Sequence, residues 1–138
     1  MTSHLEDFWR VEFQDHGIVW CTRAARPYLS VTMLDEVLVL LDRRLERVNR
    51  PERSLLLDLR VSPIVNQGEW TSGALLHHRR RLVRGFRRAG FLVQSSDQAD
   101  PIPRAAGPDS PEVQLFRDPD RARGAMRLPH MTTRQALG

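Results

Sequence analysis

Ser54-Leu55-Leu56-Leu57-Asp58-Leu59-Arg60 is a short apolar run closed by an acid, the pattern of a buried central strand. The residues before it, 32–49, repeat apolar side chains with the period of an α-helix. That stripe consists of Leu34, Val37, Leu38, Leu41, Leu45 and Val48. A helix that leads directly into a buried strand is the crossover half of a βαβ unit. The sequence therefore predicts an α/β fold.

An antiparallel hairpin is predicted before this helix. Apolar and polar residues alternate over 9–14 and again over 18–22, on either side of Asp15-His16-Gly17. Gly17 can supply the positive φ that a tight turn requires. After a connector over 23–31, we expect the helix to begin at Thr32 and to end at Asn49.

A second helical pattern follows the central strand and the loop 61–68. It runs from about Glu69 to Ala89, and we expect Gly90 to end it. Phe91-Leu92-Val93 is then a second short buried strand. The order of elements, hairpin, helix, strand, helix, strand, supports a mixed sheet.

The last third of the chain is expected to add one strand and one helix. Four prolines make 97–111 a loop or a short broken helix, and strand character returns at 113–116. Asp118 and the proline after it form a helix entry for 120–128. We expect one domain over residues 8–128, between a tail at 1–7 and a flexible tail at 129–138.

The composition of the chain places few limits on its function. The chain has 138 residues and 21 basic residues, all arginine, with a net charge of +4. Residues 1–75 hold more acids than arginines, whereas 76–90 hold six arginines and no acid. Cys21 is the lone cysteine, and no apolar run reaches the roughly 18 residues of a membrane span. We expect a soluble cytoplasmic protein.

The densest candidate site is the run from His77 to Arg88. On one continuous helix, the side chains that would share a side are Arg80, Arg84, Arg87 and Arg88. This cationic strip suits an acidic protein surface, and the alternative is a solvated helix face. An alternative hypothesis is that the protein binds nucleic acid or another polyanion through Arg79, Arg80, Arg81, Arg84, Arg87 and Arg88.

Other polar residues are scattered. Asp58 lies at the carboxyl end of a central strand, where open α/β sheets place ligands, so it marks a possible crevice for a lipid or nucleotide; the alternative is capping of the next loop. Thr71 and Ser72 are possible phosphoacceptors or ordinary caps. The adjacent His77-His78 pair lacks metal-ligand spacing. We expect no metal, no cofactor and no catalysis.

The pattern resembles the STAS/SpoIIAA-like superfamily over residues 8–128, closer to the SpoIIAA-like branch than to phosphorylated anti-sigma-factor antagonists. The resemblance lies in the order of elements and in Leu55–Arg60, Arg79–Phe86, Phe91–Val93 and Val113–Phe116. It implies a small mixed sheet whose first strand is antiparallel near an edge, with helices packed mainly on one face. It also implies a domain that acts by binding other proteins.

The antagonist branch of that superfamily carries a phosphorylated hydroxyl in a short motif. Its nearest match here is Thr71-Ser72-Gly73-Ala74-Leu75, where Trp70 stands in place of the family's aspartate.

The expected function is non-enzymatic binding of a regulatory protein through the start and face of the second helix. Trp70 would be an apolar anchor beside Arg80, Arg84, Arg87 and Arg88. The sequence also allows a homodimer that forms by sheet extension at the edge strand of the hairpin.

Overall fold

The computed structural model describes residues 4–61, 78, 80–94 and 111–128. These residues form a five-stranded sheet of order β1-β2-β3-β4-β5. The strands are β1 (Trp9–Gln14), β2 (Ile18–Arg23), β3 (Ser54–Asp58), β4 (Arg88–Leu92) and β5 (Val113–Phe116). β1 is antiparallel to β2, and the other neighbouring pairs are parallel. The predicted α/β class and the antiparallel hairpin are confirmed.

The hairpin turn is a single 3-10 turn, Asp15–Gly17. Gly17 has the positive φ that the sequence predicted, 78°, and His16 beside it is also left-handed, with a φ of 65°. The carbonyl oxygen of His16 accepts a hydrogen bond from the amide of Leu128 at 2.9 Å. The turn is therefore held by the end of the described chain as well as by its own backbone.

The first helix, α1, spans Val31–Leu45. The hydroxyl of Ser30 caps it, accepting a backbone N–H of the first turn at 3.1 Å, so the predicted start at Thr32 is one residue late. The predicted end at Asn49 is wrong, because that residue is left-handed, with a φ of 57°, and a 3-10 helix at Arg50–Glu52 follows it. All six apolar side chains of the predicted stripe are buried.

Only part of the second predicted helix falls within the described residues. Residues 78 and 80–83 are helical, and the chain turns at Gly85, whose φ is 85°. The helix does not continue to Ala89, and Gly90 does not end it, because Gly90 lies inside β4 opposite Leu56 of β3. Pairing with β3 is the reason that this segment is strand.

The C-terminal helix, α2, spans Pro119–Met126 and confirms the predicted entry. The Asp118 carboxylate accepts the amide of Asp120 at 3.2 Å. The helix ends two residues before the predicted Leu128, where the chain turns back to the hairpin.

Helices cover both faces of the sheet. On one face, side chains of α1 and of residues 82–86 pack against alternate strand residues such as Leu55, Leu57 and Phe91. On the other face, α2 packs against Leu56 and Leu92. Two helical segments thus share one face as expected, while α2 lies on the opposite face.

The three leucines of β3 have no exposed surface, so the predicted covered central strand is confirmed. Neither α1 nor α2, nor any other helix in the described part of the chain, has the length and apolar content needed to cross a membrane.

Candidate functional site

The predicted arginine strip is only partly present. Arg80 and Arg84 are exposed one turn apart, and the amide of Arg84 donates to the carbonyl oxygen of Arg80 at 3.0 Å. Arg87 is also exposed, but it lies beyond Gly85 in the turn before β4. Arg88 is the first residue of β4. The four side chains therefore do not share one helix side, because the helix ends too early.

Arg88 faces the opposite side of the sheet from Arg84. Its Nη1 donates to the carbonyl oxygens of Ala125 and Arg127, each at 2.9 Å, and so satisfies carbonyls at the end of α2. Arg88 therefore does not lie on a helix face with Arg80 and Arg84, and its role in binding a partner stays a prediction.

Arg50 joins the ends of two helical segments. Its Nε donates to the carbonyl oxygen of Leu45 at the end of α1, at 3.2 Å. Its Nη1 donates to the carbonyl oxygens of Arg81, Leu82 and Arg84, at 2.7, 3.2 and 2.9 Å. One guanidinium group therefore fixes the second helical segment against α1.

Asp42 completes this network from α1. Its Oδ1 accepts from Arg50 Nη2 at 3.0 Å, and its Oδ2 lies 3.2 Å from Arg81 Nη2. The ring of Phe86 lies 5.1 Å from the Arg50 guanidinium. The prediction missed this cluster, although an acid four residues after Leu38 on the apolar stripe was a signal for a buried ion pair.

A basic surface surrounds the network at the end of the sheet where β3 and β4 begin. We call it the basic end; its members are Arg47, Arg53, Arg84 and Arg87. The amide of Arg87 donates to the carbonyl oxygen of Arg53 at 2.9 Å, so the two chain segments touch. Across residues 4–61, 78, 80–94 and 111–128, no ion pair involves these four side chains.

Two exposed acids, Glu46 and Glu52, lie at the same end. Glu52 accepts a hydrogen bond from the side chain of Asn49 at 3.3 Å. Four arginines against two glutamates leave the surface with an excess of positive charge.

Asp58 lies at the carboxyl end of β3, as predicted, with 3% of its surface exposed. Its Oδ2 accepts from Trp20 Nε1 at 3.2 Å and from Arg60 Nη2 at 2.8 Å, and its Oδ1 accepts from Arg60 Nε at 2.9 Å. The hydrogen bonds that Arg60 donates to the Asp58 carboxylate raise the pKa of Arg60. The backbone amide of Arg60 also donates to Asp58 Oδ1 at 3.2 Å, which matches the capping alternative, and a ligand crevice at Asp58 stays a prediction.

Cys21 and His78, two further candidate residues, are also enclosed by the fold. Cys21 is fully buried, and burial raises the pKa of its thiol to about 12. His78 is partly buried, and its Nε2 lies 2.9 Å from Asp35 Oδ1. Within the described ranges, no three His, Cys, Asp or Glu side chains lie close enough together to hold a metal ion.

Trp70, Thr71 and Ser72 lie outside the described residues, so their predicted roles as anchor and phosphoacceptors stay predictions. Comparison with models of protein families, with curated proteins and with solved structures found no match for this chain.

Proposed function

We propose that this protein is a non-enzymatic binding domain whose basic end takes up an acidic segment of a regulatory partner protein. The observation that carries the proposal is the group of arginines at that end, which have no carboxylate partner among the described residues yet stand on two rigidly joined segments. Arg84 and Arg87 are its central contacts, and Arg80 extends the surface by one turn.

Carboxylates of a protein segment suit these groups. A guanidinium group presents a planar fork of donors that matches a carboxylate in two parallel hydrogen bonds. The backbone of Arg84 is fixed through Arg50, so less conformational freedom is lost when its side chain binds than on a mobile loop.

Binding rather than catalysis is favoured by the surroundings of the reactive groups. Asp42 and Asp58 are buried and hydrogen-bonded, and the Cys21 thiol is buried with a raised pKa. Their roles are those of structural residues, since a nucleophile or acid must reach a substrate.

The STAS/SpoIIAA-like resemblance is part of this proposal. The edge position and antiparallel direction of β1 support it, since they agree with the sheet that the resemblance implies. Cytoplasmic location belongs to the proposal too, supported by the free Cys21 thiol. A docking role for Trp70 and a homodimer through β1 stay predictions.

The test is fluorescence anisotropy with a labelled polyglutamate peptide at about 50 mM salt. We expect binding that weakens about tenfold in the double variant Arg84→Gln/Arg87→Gln, because two charged hydrogen-bond donors are lost. The matched control is Arg121→Gln, which removes an exposed charge from α2 on the opposite face of the sheet. The control is expected to bind like the parent protein.

Two results would overturn this function. Equal affinity in the double variant and the parent would exclude the basic end. Tighter binding of a labelled single-stranded oligonucleotide than of the peptide, with a steeper loss of affinity as salt rises, would replace the acidic protein segment by a nucleic acid.

A further inference from the structure

A groove lies on the other side of α1 from the Arg50 network. Its walls are the N-terminal 3-10 helix Leu5–Asp7, the start of β1 and the outer face of α1. The groove consists of two cavities, of about 350 and about 280 Å³. They share Leu5, Glu6 and Arg44 as lining residues, so they adjoin across those side chains.

The floor of the groove is apolar. Leu5 and Val11 pack against the main core, and Trp9, which also lines the smaller cavity, is buried, with 1% of its surface exposed. Leu40 of α1 lines the larger cavity and is half-buried. These apolar side chains can accommodate a short apolar part of a ligand, because its contact with them removes apolar surface from water.

The rim of the groove is basic. Arg43, Arg44 and Arg47 line the larger cavity, and Arg10 joins Arg44 at the smaller one. Arg43, Arg44 and Arg47 form no ion pair with any described carboxylate. Glu6 is the acid that lines both cavities, so positive charge dominates the rim.

Two of the rim arginines have other contacts. Arg10 Nη2 lies 3.1 Å from Glu12, and the Arg44 guanidinium lies over the ring of Phe13 at 5.5 Å. The contact with Phe13 leaves the hydrogen-bond donors of Arg44 at its edges available, because a cation–π contact uses the face of the guanidinium group.

We propose that this groove binds a small amphiphilic anion, with a phosphate or carboxylate head group on a short apolar chain. The chain lies on Leu5 and Leu40, and the head group is held by Arg44 with Arg43 or Arg47. The size of the cavities is at the lower end for small-molecule sites, which suits a short chain rather than a large cofactor. Arg47 belongs both to the rim of the groove and to the basic end, whereas the other residues that line the groove lie outside the basic end.

The test is isothermal titration calorimetry with octyl phosphate below its micelle concentration. Inorganic phosphate supplies the head group without the chain, and octyl glucoside supplies the chain without the charge. We expect measurable binding of octyl phosphate and about tenfold weaker binding, or none, of either control. Equal binding of inorganic phosphate or of octyl glucoside would overturn the proposal.

The site within the protein is tested with Arg44→Gln, which is expected to weaken octyl phosphate about tenfold. The matched control is Arg84→Gln, at the basic end, which is expected to leave the affinity unchanged. If Arg44→Gln lowers the melting temperature, the Arg43→Gln variant is used for the same comparison. An unchanged affinity in both rim variants would exclude the groove, whatever the outcome of the polyglutamate titration.

Discussion

The arginine side chains of this protein differ in what they contact. Arg50 and Arg88 donate to backbone carbonyls at helix ends, where the last turn leaves acceptors without an intrahelical partner. Arg84 is instead exposed, and Arg87 is exposed while its Nε donates to the carbonyl oxygen of Pro51 at 3.2 Å. The difference follows from position, since a guanidinium group has enough donors to satisfy several carbonyls when the backbone brings them together.

Replacing Arg50 by methionine is expected to lower the free energy of unfolding by about 2–4 kcal/mol. The variant keeps most of the apolar stem but removes the donors to both helix ends and one partner of the buried Asp42. Urea denaturation measures this change. The exposed Arg47→Met is the control, expected to stay within about 0.5 kcal/mol of the parent, and equal stability of the two variants would contradict the structural role of Arg50.

The strand conformation of β4 is determined by pairing with its neighbouring strands rather than by its local sequence. Its first half, Arg88-Ala89-Gly90, has no apolar alternation, and the local pattern favoured continuation of the preceding helix. The structure makes it a strand because it pairs with β3 on one side and β5 on the other. Gly90 serves close packing there: a Cβ atom would lie 2.8 Å from the ring of Phe116.

Gly90→Ala is therefore expected to destabilise the protein by about 1–3 kcal/mol, because the ring of Phe116 must shift. Gly124→Ala makes the same chemical change in α2, where an added Cβ meets nothing within 4 Å. This control is expected to stabilise the protein by up to about 1 kcal/mol, because alanine favours a helix. Thermal unfolding of both variants decides the matter, and a Gly90→Ala protein as stable as the parent would refute the close packing.

At the scale of the whole molecule, much of the fold follows from local pattern. The apolar run at β3, the stripe of α1 and the turn at Gly17 are each explained by residues close in sequence, and each prediction is confirmed. The placement of α2 on the second face was not predicted, because both faces of a covered sheet accept an amphipathic helix.

The candidate site was harder to predict than the fold. Arg84 and Arg87 were identified from charge density alone, but their arrangement depends on where the helix ends. That end is determined by the left-handed Gly85 and by Arg50, which lies more than 30 residues earlier in the chain. Hydrogen bonds over such separations leave no periodic signal in the sequence.

The most direct test of the basic end is a titration of the isotope-labelled protein with unlabelled polyglutamate, followed by amide chemical shifts at about 50 mM salt. We expect the largest changes on residues 46–53 and 80–88, with the amides of α2 nearly unchanged. Changes centred on α2, or spread evenly over the described chain, would contradict it.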